Sequence, residues 1–358
     1  MHFYESSIIT TKDMLHCQVY ANEHPDAGIL IKPKYIPTDK VECSGLQCRF
    51  IAGQKMNRLN LWAEKKGLAD YIKKFRLAYP EYVYRSELHD SKEFFFWVPH
   101  EKIERVFFPR KGLDELMSMP KNSLDNHLKV VYNFADFLLE SGLRLKDLGV
   151  TYSTLMGNYA ENMSDINIVV YGKQNFWKLM KYMETAKHAS LRWKNEEEWL
   201  DFYKKRNRSN IFEKNTFLKH MIGRKKSEGF FGNSLFVIFA AEKEDEVWCK
   251  WGGEKYSSLG PATVEGTVSN HYSSVVRPGC YEITDSRLID SKLDCDVKKV
   301  VFYSRDYTLL AFEGEKIRAC GMLEKVTPKN APPYHRIVTG YFDSYITDRR
   351  EKEFIKVV

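Results

Sequence analysis

The feature that most constrains the fold is the stretch 164–172, which reads Ser-Asp-Ile-Asn-Ile-Val-Val-Tyr-Gly. A polar start, a β-branched apolar run and a closing glycine predict a buried β-strand. Side chains alternate between the two faces of a strand, so Asp165 and Asn167 should lie on one face and Ile166 and Ile168 on the other. The sequence therefore predicts a carboxylate and an amide side by side where this strand begins.

A second feature, the pair Tyr152-Ser153, lies shortly before that strand. Together with Asp165-Ile166-Asn167, it resembles the signature of the DNA polymerase β superfamily of nucleotidyltransferases. In that signature a Gly-Ser pair begins a short helix, and an acid-apolar-acid triplet follows on a strand. Tyr152 stands at the glycine position, and Asn167 stands at the position of the second acid.

The resemblance extends over most of the chain, which is similar to an uncharacterised and mostly archaeal family of predicted nucleotidyltransferases. It implies an α+β protein with a central nucleotidyltransferase-like mixed α/β domain at 121–245. An N-terminal α+β region at 1–120 and a C-terminal β-rich domain at 246–358, for which an OB-like barrel is one candidate, would flank it. Besides the central motif, the stretches that carry the similarity are Glu23-His24-Pro25, Lys34-Tyr35-Ile36-Pro37, Gly229-Phe230-Phe231 with the basic segment before it, and Arg318-Ala319-Cys320-Gly321-Met322-Leu323-Glu324.

The resemblance also implies a metal site. Nucleotidyl transfer uses a divalent cation to neutralise charge on the phosphates, and Mg²⁺ or Mn²⁺ would bind hard oxygen ligands. We therefore expect Asp165 and Asn167 to be the catalytic metal ligands, and Glu242, which follows an apolar strand, to supply a third one. Asn167 offers an oxygen but no charge, which would slow the chemistry.

The same resemblance assigns the triphosphate to Ser153, because a helix start presents free backbone N–H groups to an anion. Gly157 can make the tight turn that follows. The ring of Tyr152 fills the space that a glycine would leave open for close backbone approach. It either narrows the phosphate path or has another role, such as stacking on a base.

The excess positive charge lies in one segment. Residues 204–226 contain nine Lys or Arg and one acid, so this segment has a charge of +8. The rest of the chain sums to −1, which gives the net charge of +7. Such a segment is either a solvated helix face or a contact for a polyanion. We expect phosphate contacts from six of its residues, the last three of them on the nucleotide: Arg206, Arg208, Lys219, Arg224, Lys225 and Lys226.

Two functions remain open at this point. An enzyme would transfer a nucleotide from a nucleoside triphosphate to a hydroxyl of nucleic acid or of another acceptor. The alternative is a catalytically inactive protein that binds RNA or DNA on the same scaffold, which Tyr152 and Asn167 would explain. Binding of that kind is dominated by phosphate contacts and depends on salt.

Other classes of protein agree less well with the sequence. No apolar run approaches the roughly 18 residues of a membrane-spanning helix, and the first residues lack a signal-peptide pattern, which predicts a cytoplasmic protein. The seven cysteines form no Cys-x-x-Cys pair, so neither a disulfide framework nor a zinc ribbon is expected. A zinc site built from His16, Cys17, Cys43 and Cys48 is an alternative that the short spacings allow.

Local patterns predict further elements. Apolar spacing predicts helices over 56–75, 123–139 and 175–186, the second with Ser123 as its N-cap. Pro33 and Pro37 indicate that the strand beginning at residue 28 lies at a sheet edge. Short β runs punctuated by glycine and proline predict a small C-terminal barrel or sandwich. These runs are 263–269, 281–285, 299–303, 308–312, 316–326 and 336–342.

Overall fold

The structure of the protein is a computed structural model, and it is mixed α+β. It describes residues 2–41, 47–59, 65–90, 94–161, 163–206, 213–289, 293, 295–347 and 349–358, with backbone alone at 65–68 and 205–206. Across these described ranges, no helix is long and apolar enough to cross a membrane.

The N-terminal third is mainly a β-sheet with one helix. Eight strands form the sheet in the order β4-β5-β3-β2-β1-β8, and β7 adds to β3 and carries β6 on its other side. The elements are β1 (Ile8–Thr11), β2 (His16–Val19), β3 (Gly28–Pro37), β4 (Cys48–Ile51), β5 (Gln54–Arg58), α1 (Lys65–Ala78), β6 (Val83–Tyr84), β7 (Phe95–Pro99) and β8 (Ile103–Phe107).

The expectation that the proline-containing strand lies at a sheet edge is wrong. β3 pairs with β2 on one side, and with β7 and then β5 on the other side. Pro33 falls between the segments that pair with β7 and with β5, next to an irregularity in the pairing with β2. A central strand can therefore hold this proline, because the ladder is interrupted where its missing N–H would be needed.

Two predicted helix starts also require correction. Met56 belongs to β5, where it is fully buried, and the described helix covers Lys65–Ala78. The helix predicted at 123–139 begins at Asn126 rather than near Ser123. The carboxylate of Asp125 caps it by accepting a hydrogen bond from the Leu128 N–H at 2.8 Å. Apolar spacing predicts that a helix is present, but the N-cap depends on which side chain accepts a hydrogen bond from a free N–H group of the first turn.

The central part of the chain forms a five-stranded sheet in the order β11-β12-β13-β10-β9. β10 runs parallel to β13 and antiparallel to β9, and helices connect most of the strands. The elements are α2 (Pro109–Ser118), α3 (Asn126–Leu139), β9 (Leu148–Val150), α4 (Tyr152–Met156), β10 (Ile166–Tyr171), α5 (Lys173–Thr185), β11 (Leu191–Trp193), α6 (Glu196–Arg206), α7 (Lys214–Arg224), β12 (Glu228–Phe231) and β13 (Ser234–Ala241).

The C-terminal part contains a closed five-stranded β-barrel, which agrees with the predicted β-rich barrel or sandwich. The order β14-β15-β16-β18-β17 closes because β17 also pairs with β14, and β19 adds to β17 outside the ring. The elements are β14 (Glu254–Asn270), β15 (Gly279–Leu288), β16 (Val297–Phe302), β17 (Lys316–Pro328), β18 (Tyr334–Thr339), α8 (Arg349–Lys352) and β19 (Phe354–Val357).

The predicted strand at 308–312 does not form. The hydroxyl of buried Tyr281 accepts hydrogen bonds from the backbone N–H groups of Leu310 and Ala311 and donates to the Tyr307 carbonyl. One side chain thus satisfies backbone groups that a strand would have paired with a neighbour.

The described chain divides into two compact units. The first comprises residues 1–8 and 106–246, and the second comprises 9–105 and 247–358. The five-stranded sheet belongs to the first unit, and the barrel belongs to the second. The division of the sequence at residues 120 and 245 stays a prediction.

Candidate functional site

The fold brings the two halves of the sequence motif together. β9 and β10 are antiparallel, with Val150 opposite Ile168, and the backbone N–H of Thr151 donates to the Asn167 carbonyl at 3.0 Å. Thr151 is therefore hydrogen-bonded to β10, and Tyr152, the first residue of α4, comes directly after Thr151. The turn at Tyr152-Ser153 and the Asp165–Asn167 pair form one corner of the sheet.

Tyr152 has an unusual backbone conformation, with φ at +57°. A bulky residue is rare in this left-handed region, where L-residues other than glycine lose roughly 1–2 kcal/mol. The motif would place a glycine here, and the backbone adopts the conformation that glycine accepts most easily. Gly157, which ends α4, is also left-handed, with φ at +69°, so the short helix is bounded by a left-handed residue at each end.

The two faces of the sheet differ in burial. Ile166, Ile168, Phe236 and Ile238 point to one face and are at most 3% exposed. The ring of Phe134 from α3 packs there, 4.6 Å from the ring of Phe236, and α5 packs on β10 and β13. This helix-covered face is the hydrophobic core of the first unit.

The opposite face is half-open, and it carries Asn167. Register partners in a sheet share a face, so Asn167 and its partner Val237 lie together, with Leu235 and Phe239 two residues to either side of Val237. All four residues are half-buried. The ring of Tyr152 meets the ring of Phe239 edge to face, with 5.7 Å between centroids. The corner thus combines polar groups with an apolar and aromatic floor.

The N-terminal segment covers the far end of this half-open face. The ring of Tyr4 lies 5.1 Å from the ring of Tyr171, and both belong to a buried cluster with Val169 and Ala241. The Thr151 hydroxyl donates to the Ser6 carbonyl at 2.6 Å. Because Tyr171 lies at the carboxyl end of β10, the amino end with Asn167 is the part that stays accessible.

At the accessible end, Asp165 is exposed and Asn167 is partly buried. The Asn167 amide nitrogen donates to the Asp165 backbone carbonyl at 3.3 Å, which leaves its Oδ1 atom as an acceptor for other groups. Neighbouring β13 contributes Val237 in the same row rather than an acid. The corner therefore offers one carboxylate and one amide oxygen.

These donors fit only part of a metal coordination shell. Within the part of the chain that the structure describes, no group of three or more His, Cys, Asp or Glu could hold a metal ion. Mg²⁺ commonly keeps several waters and binds through one or two carboxylates together with substrate phosphates. Asp165 and Asn167 would therefore supply at most two oxygen ligands, and the phosphates of a substrate would have to complete the shell of a Mg²⁺ or Mn²⁺ ion.

Glu242 does not belong to this site, which corrects the expectation of a third ligand. It follows Ala241, the partner of Tyr171, so it lies about 16 Å along the strand from the row of Asn167. Its carboxylate is 2% exposed and accepts from the Lys173 ammonium at 2.8 Å. Lys173 also donates to the Glu246 carbonyl at 2.7 Å. A buried ion pair of this kind is structural.

The zinc alternative likewise receives no support. Cys17 is fully buried, and burial raises the pKa of its thiol, whereas Cys48 is exposed. The two thiols therefore lie in different environments, and among the residues that the structure describes no group of three or more His, Cys, Asp or Glu could hold a metal ion. Cys43 lies outside the described residues.

A polar cluster that the motif search missed supports α4 and the loop after it. The hydroxyl of Tyr159 donates to Asp125 at 2.5 Å, and its ring stacks on the buried ring of His127 with 4.4 Å between centroids. His127 Nε2 lies 2.9 Å from the hydroxyl of Thr154. Burial lowers the pKa of His127, which keeps the ring neutral at physiological pH. The only sequence signal was Asp125 before a helix.

The basic segment is divided by the fold. Lys225 is 6% exposed and is therefore no surface contact for phosphate. Lys226 lies over the ring of Trp193, 4.8 Å from its centroid, and burial lowers the pKa of its ammonium. Trp193 contacts Phe236, so Lys226 lies on the helix-covered side, away from Asn167.

The remaining basic residues have other positions. Arg224 ends α7, and Lys214 and Lys219 of the same helix are exposed. Only the backbone of Arg206 is described, and Arg208 lies outside the described residues. The structure therefore does not bring Arg224, Lys225 and Lys226 to the corner as a group.

Comparison with known proteins gives one relative and no function. The chain is 28% identical, over 354 residues, to an uncharacterised protein of Methanocaldococcus jannaschii; the match covers 96% of this chain and 98% of that protein. No protein-family model and no solved structure matches the chain. The similarity includes both compact units.

Proposed function

We propose that the first unit has a nucleotidyltransferase fold and that the corner at Tyr152 and Asn167 binds a nucleoside triphosphate with Mg²⁺ or Mn²⁺. The protein would transfer the nucleotide to a hydroxyl of nucleic acid or of another acceptor. One observation carries this proposal: the Thr151–Asn167 hydrogen bond joins the two motif segments, with Tyr152 in a left-handed backbone conformation that glycine would adopt easily.

Each corner residue has a role in this proposal. Asp165 supplies the anionic metal ligand, Asn167 supplies a neutral oxygen, and Ser153 offers its hydroxyl to the phosphates. The metal, when bound, neutralises charge that develops on the phosphates. Because Asn167 and Val237 stand where acids would strengthen the site, we expect the metal to bind weakly without nucleotide and turnover to be slow.

The test is calorimetric titration of ATP, GTP, CTP and UTP with and without Mg²⁺ or Mn²⁺. We expect metal-dependent binding that disappears in Asp165→Ala. Asp136→Ala is the matched control, because Asp136 is an exposed acid on α3. Asn167→Asp should increase metal-dependent release of pyrophosphate. The absence of triphosphate binding at millimolar concentration under every condition would reject the proposal.

A second candidate is a catalytically inactive protein that binds RNA or DNA on this scaffold. It is favoured by the missing acid at Val237 and by the exposed Lys214 and Lys219 on α7. The barrel, if it is OB-like, would provide a further binding surface. Metal-independent binding that weakens steeply with salt, and that Lys214→Glu and Lys219→Glu reduce, would support this candidate. Salt-independent binding would reject it.

A further inference from the structure

We propose that Tyr152 is a specificity-determining residue whose ring stacks on the base of the bound nucleotide. This inference rests on the proposed function, because it uses the same corner of the sheet. It adds that the ligand is recognised as a nucleoside as well as a polyphosphate.

The backbone of Tyr152 provides the first argument. Its φ of +57° is strained for a bulky residue, while a glycine or an asparagine would adopt the same conformation at lower cost. Residues that stay in such conformations cluster at ligand sites, where the side chain has a function that offsets the strain. The ring is therefore the part of Tyr152 that needs an explanation.

The position of the ring provides the second argument. Its contact with Phe239 places it on the half-open face of the sheet, beside the row of Asn167 and Val237. Phe239 lies two residues from Val237, or about 7 Å along the strand. The aromatic pair and the polar corner are thus separated by a distance on the scale of one nucleoside.

The chemistry of the face selects the ligand. Asp165 and Asn167 suit a metal-bound phosphate, whereas Tyr152, Val237 and Phe239 offer apolar and aromatic surface that inorganic phosphate cannot use. A base has a π-face that stacks on an aromatic ring, and such stacking is tolerant of base identity. We therefore expect a preference for nucleotides over inorganic polyphosphate, with modest discrimination among the four bases.

The experiment compares ATP with inorganic tripolyphosphate, each titrated calorimetrically with Mg²⁺. Tyr152→Asn removes the ring but tolerates the left-handed backbone, and Tyr152→Gly is a second variant that relieves the strain completely. We expect either variant to weaken ATP binding roughly 5- to 100-fold. Binding of tripolyphosphate should stay unchanged, and Tyr152→Phe should bind ATP like the wild type.

Four outcomes would overturn the inference. Tighter ATP binding in Tyr152→Gly would show that the ring narrows the phosphate path. Equal weakening of ATP and tripolyphosphate would show that the ring only supports the fold of the corner. If both ligands bind the wild type equally and depend on Asp165, the proposed function survives without base stacking; if neither binds, both fail.

Discussion

Two carboxylates, one in each compact unit, have opposite surroundings: one is buried and ion-paired, and the other is exposed. In the second unit, Glu324 is 1% exposed and accepts from Arg336 at 2.9 Å and from the Tyr341 hydroxyl at 3.1 Å. Arg336 also lies over the ring of Tyr256, 3.7 Å from its centroid. In the first unit, Asp165 is exposed and directly precedes β10.

The difference distinguishes carboxylates that stabilise the fold from a carboxylate that a ligand can reach. A buried carboxylate is tolerated only when cations and hydroxyl groups surround it, and those contacts occupy its oxygens. Glu324 and Glu242 both satisfy this condition. Interactions of an exposed carboxylate such as Asp165 contribute little to stability, and a ligand can reach the group from solvent. The comparison therefore predicts that stability and ligand binding depend on different acids.

The largest effect is expected at Glu324. Replacing it with Ala leaves the buried Arg336 guanidinium without its carboxylate, so the free energy of unfolding should fall by about 3–5 kcal/mol. Urea denaturation followed by circular dichroism measures this change. Asp201→Ala is the control, since its pair with Lys204 is long, at 3.9 Å, and exposed; we expect less than about 0.5 kcal/mol there. Equal losses in both variants would contradict the comparison.

Glu242→Ala should have the next largest effect on stability. Lys173 would lose its carboxylate but keep the Glu246 carbonyl, so we expect the free energy of unfolding to fall by about 1–3 kcal/mol. Binding of Mg²⁺-ATP should be the same as in the wild type. Glu244→Ala, an exposed acid two residues further on, is the control. If Glu242→Ala abolishes metal-dependent binding, Glu242 belongs to the site after all.

An acid-dependent loss of stability is expected from the second unit. Burial lowers the pKa of His89 to about 3, and its Nε2 lies 3.2 Å from the Tyr341 hydroxyl. Between that value and about 6.5 the unfolded chain binds a proton that the folded protein excludes. His89 should therefore lower the free energy of unfolding as pH drops through this range, and its own contribution to the slope is at most about 1.4 kcal/mol per pH unit.

Denaturation curves from pH 7 to pH 4 test this dependence. His89→Gln should show a shallower slope than the wild type because it removes the titrating group. Identical slopes in the wild type and His89→Gln would refute the assignment.

The smallest effect on stability is expected at the proposed site itself. Asp165→Ala should change the free energy of unfolding by no more than about 0.5 kcal/mol, because the side chain is exposed. The same denaturation measurement, with Asp136→Ala as control, checks this value. A loss above about 2 kcal/mol would mean that Asp165 is structural, and the contrast with Glu324 would disappear.

Sequence reasoning located the motif strand and the main helices of the first unit. The run from Ile166 to Tyr171 forms β10, and the predicted helices at 123–139 and 175–186 correspond to α3 and α5. These elements were predictable because burial on one face of a helix, or on both faces of a strand, leaves a period in the sequence. The β-rich character of the C-terminal region was predictable for the same reason.

The errors share a different physical cause. Met56 has the apolar spacing of a helix but pairs in β5, and the run at 308–312 has strand composition but bonds to Tyr281. Glu242 and Lys226 have side chains suited to a metal or phosphate site, but the strand register separates Glu242 from the motif and the side of the sheet separates Lys226 from it. Apart from the local N-cap of α3, each error depends on a partner outside the segment from which the prediction was made.

The sequence by itself put Asp165 and Asn167 two residues apart where a strand begins, and alternation in an extended segment predicts one shared face for them, whereas β10 starts at Ile166, after Asp165. Only the tertiary structure decided what stands beside them: Val237 instead of an acid, the ring of Tyr152 against Phe239, and Glu242 about 16 Å away. Strand order and register depend on the packing of the whole unit. Local periodicity carries no information about either, which is why the candidate site could be located but not completed from the sequence.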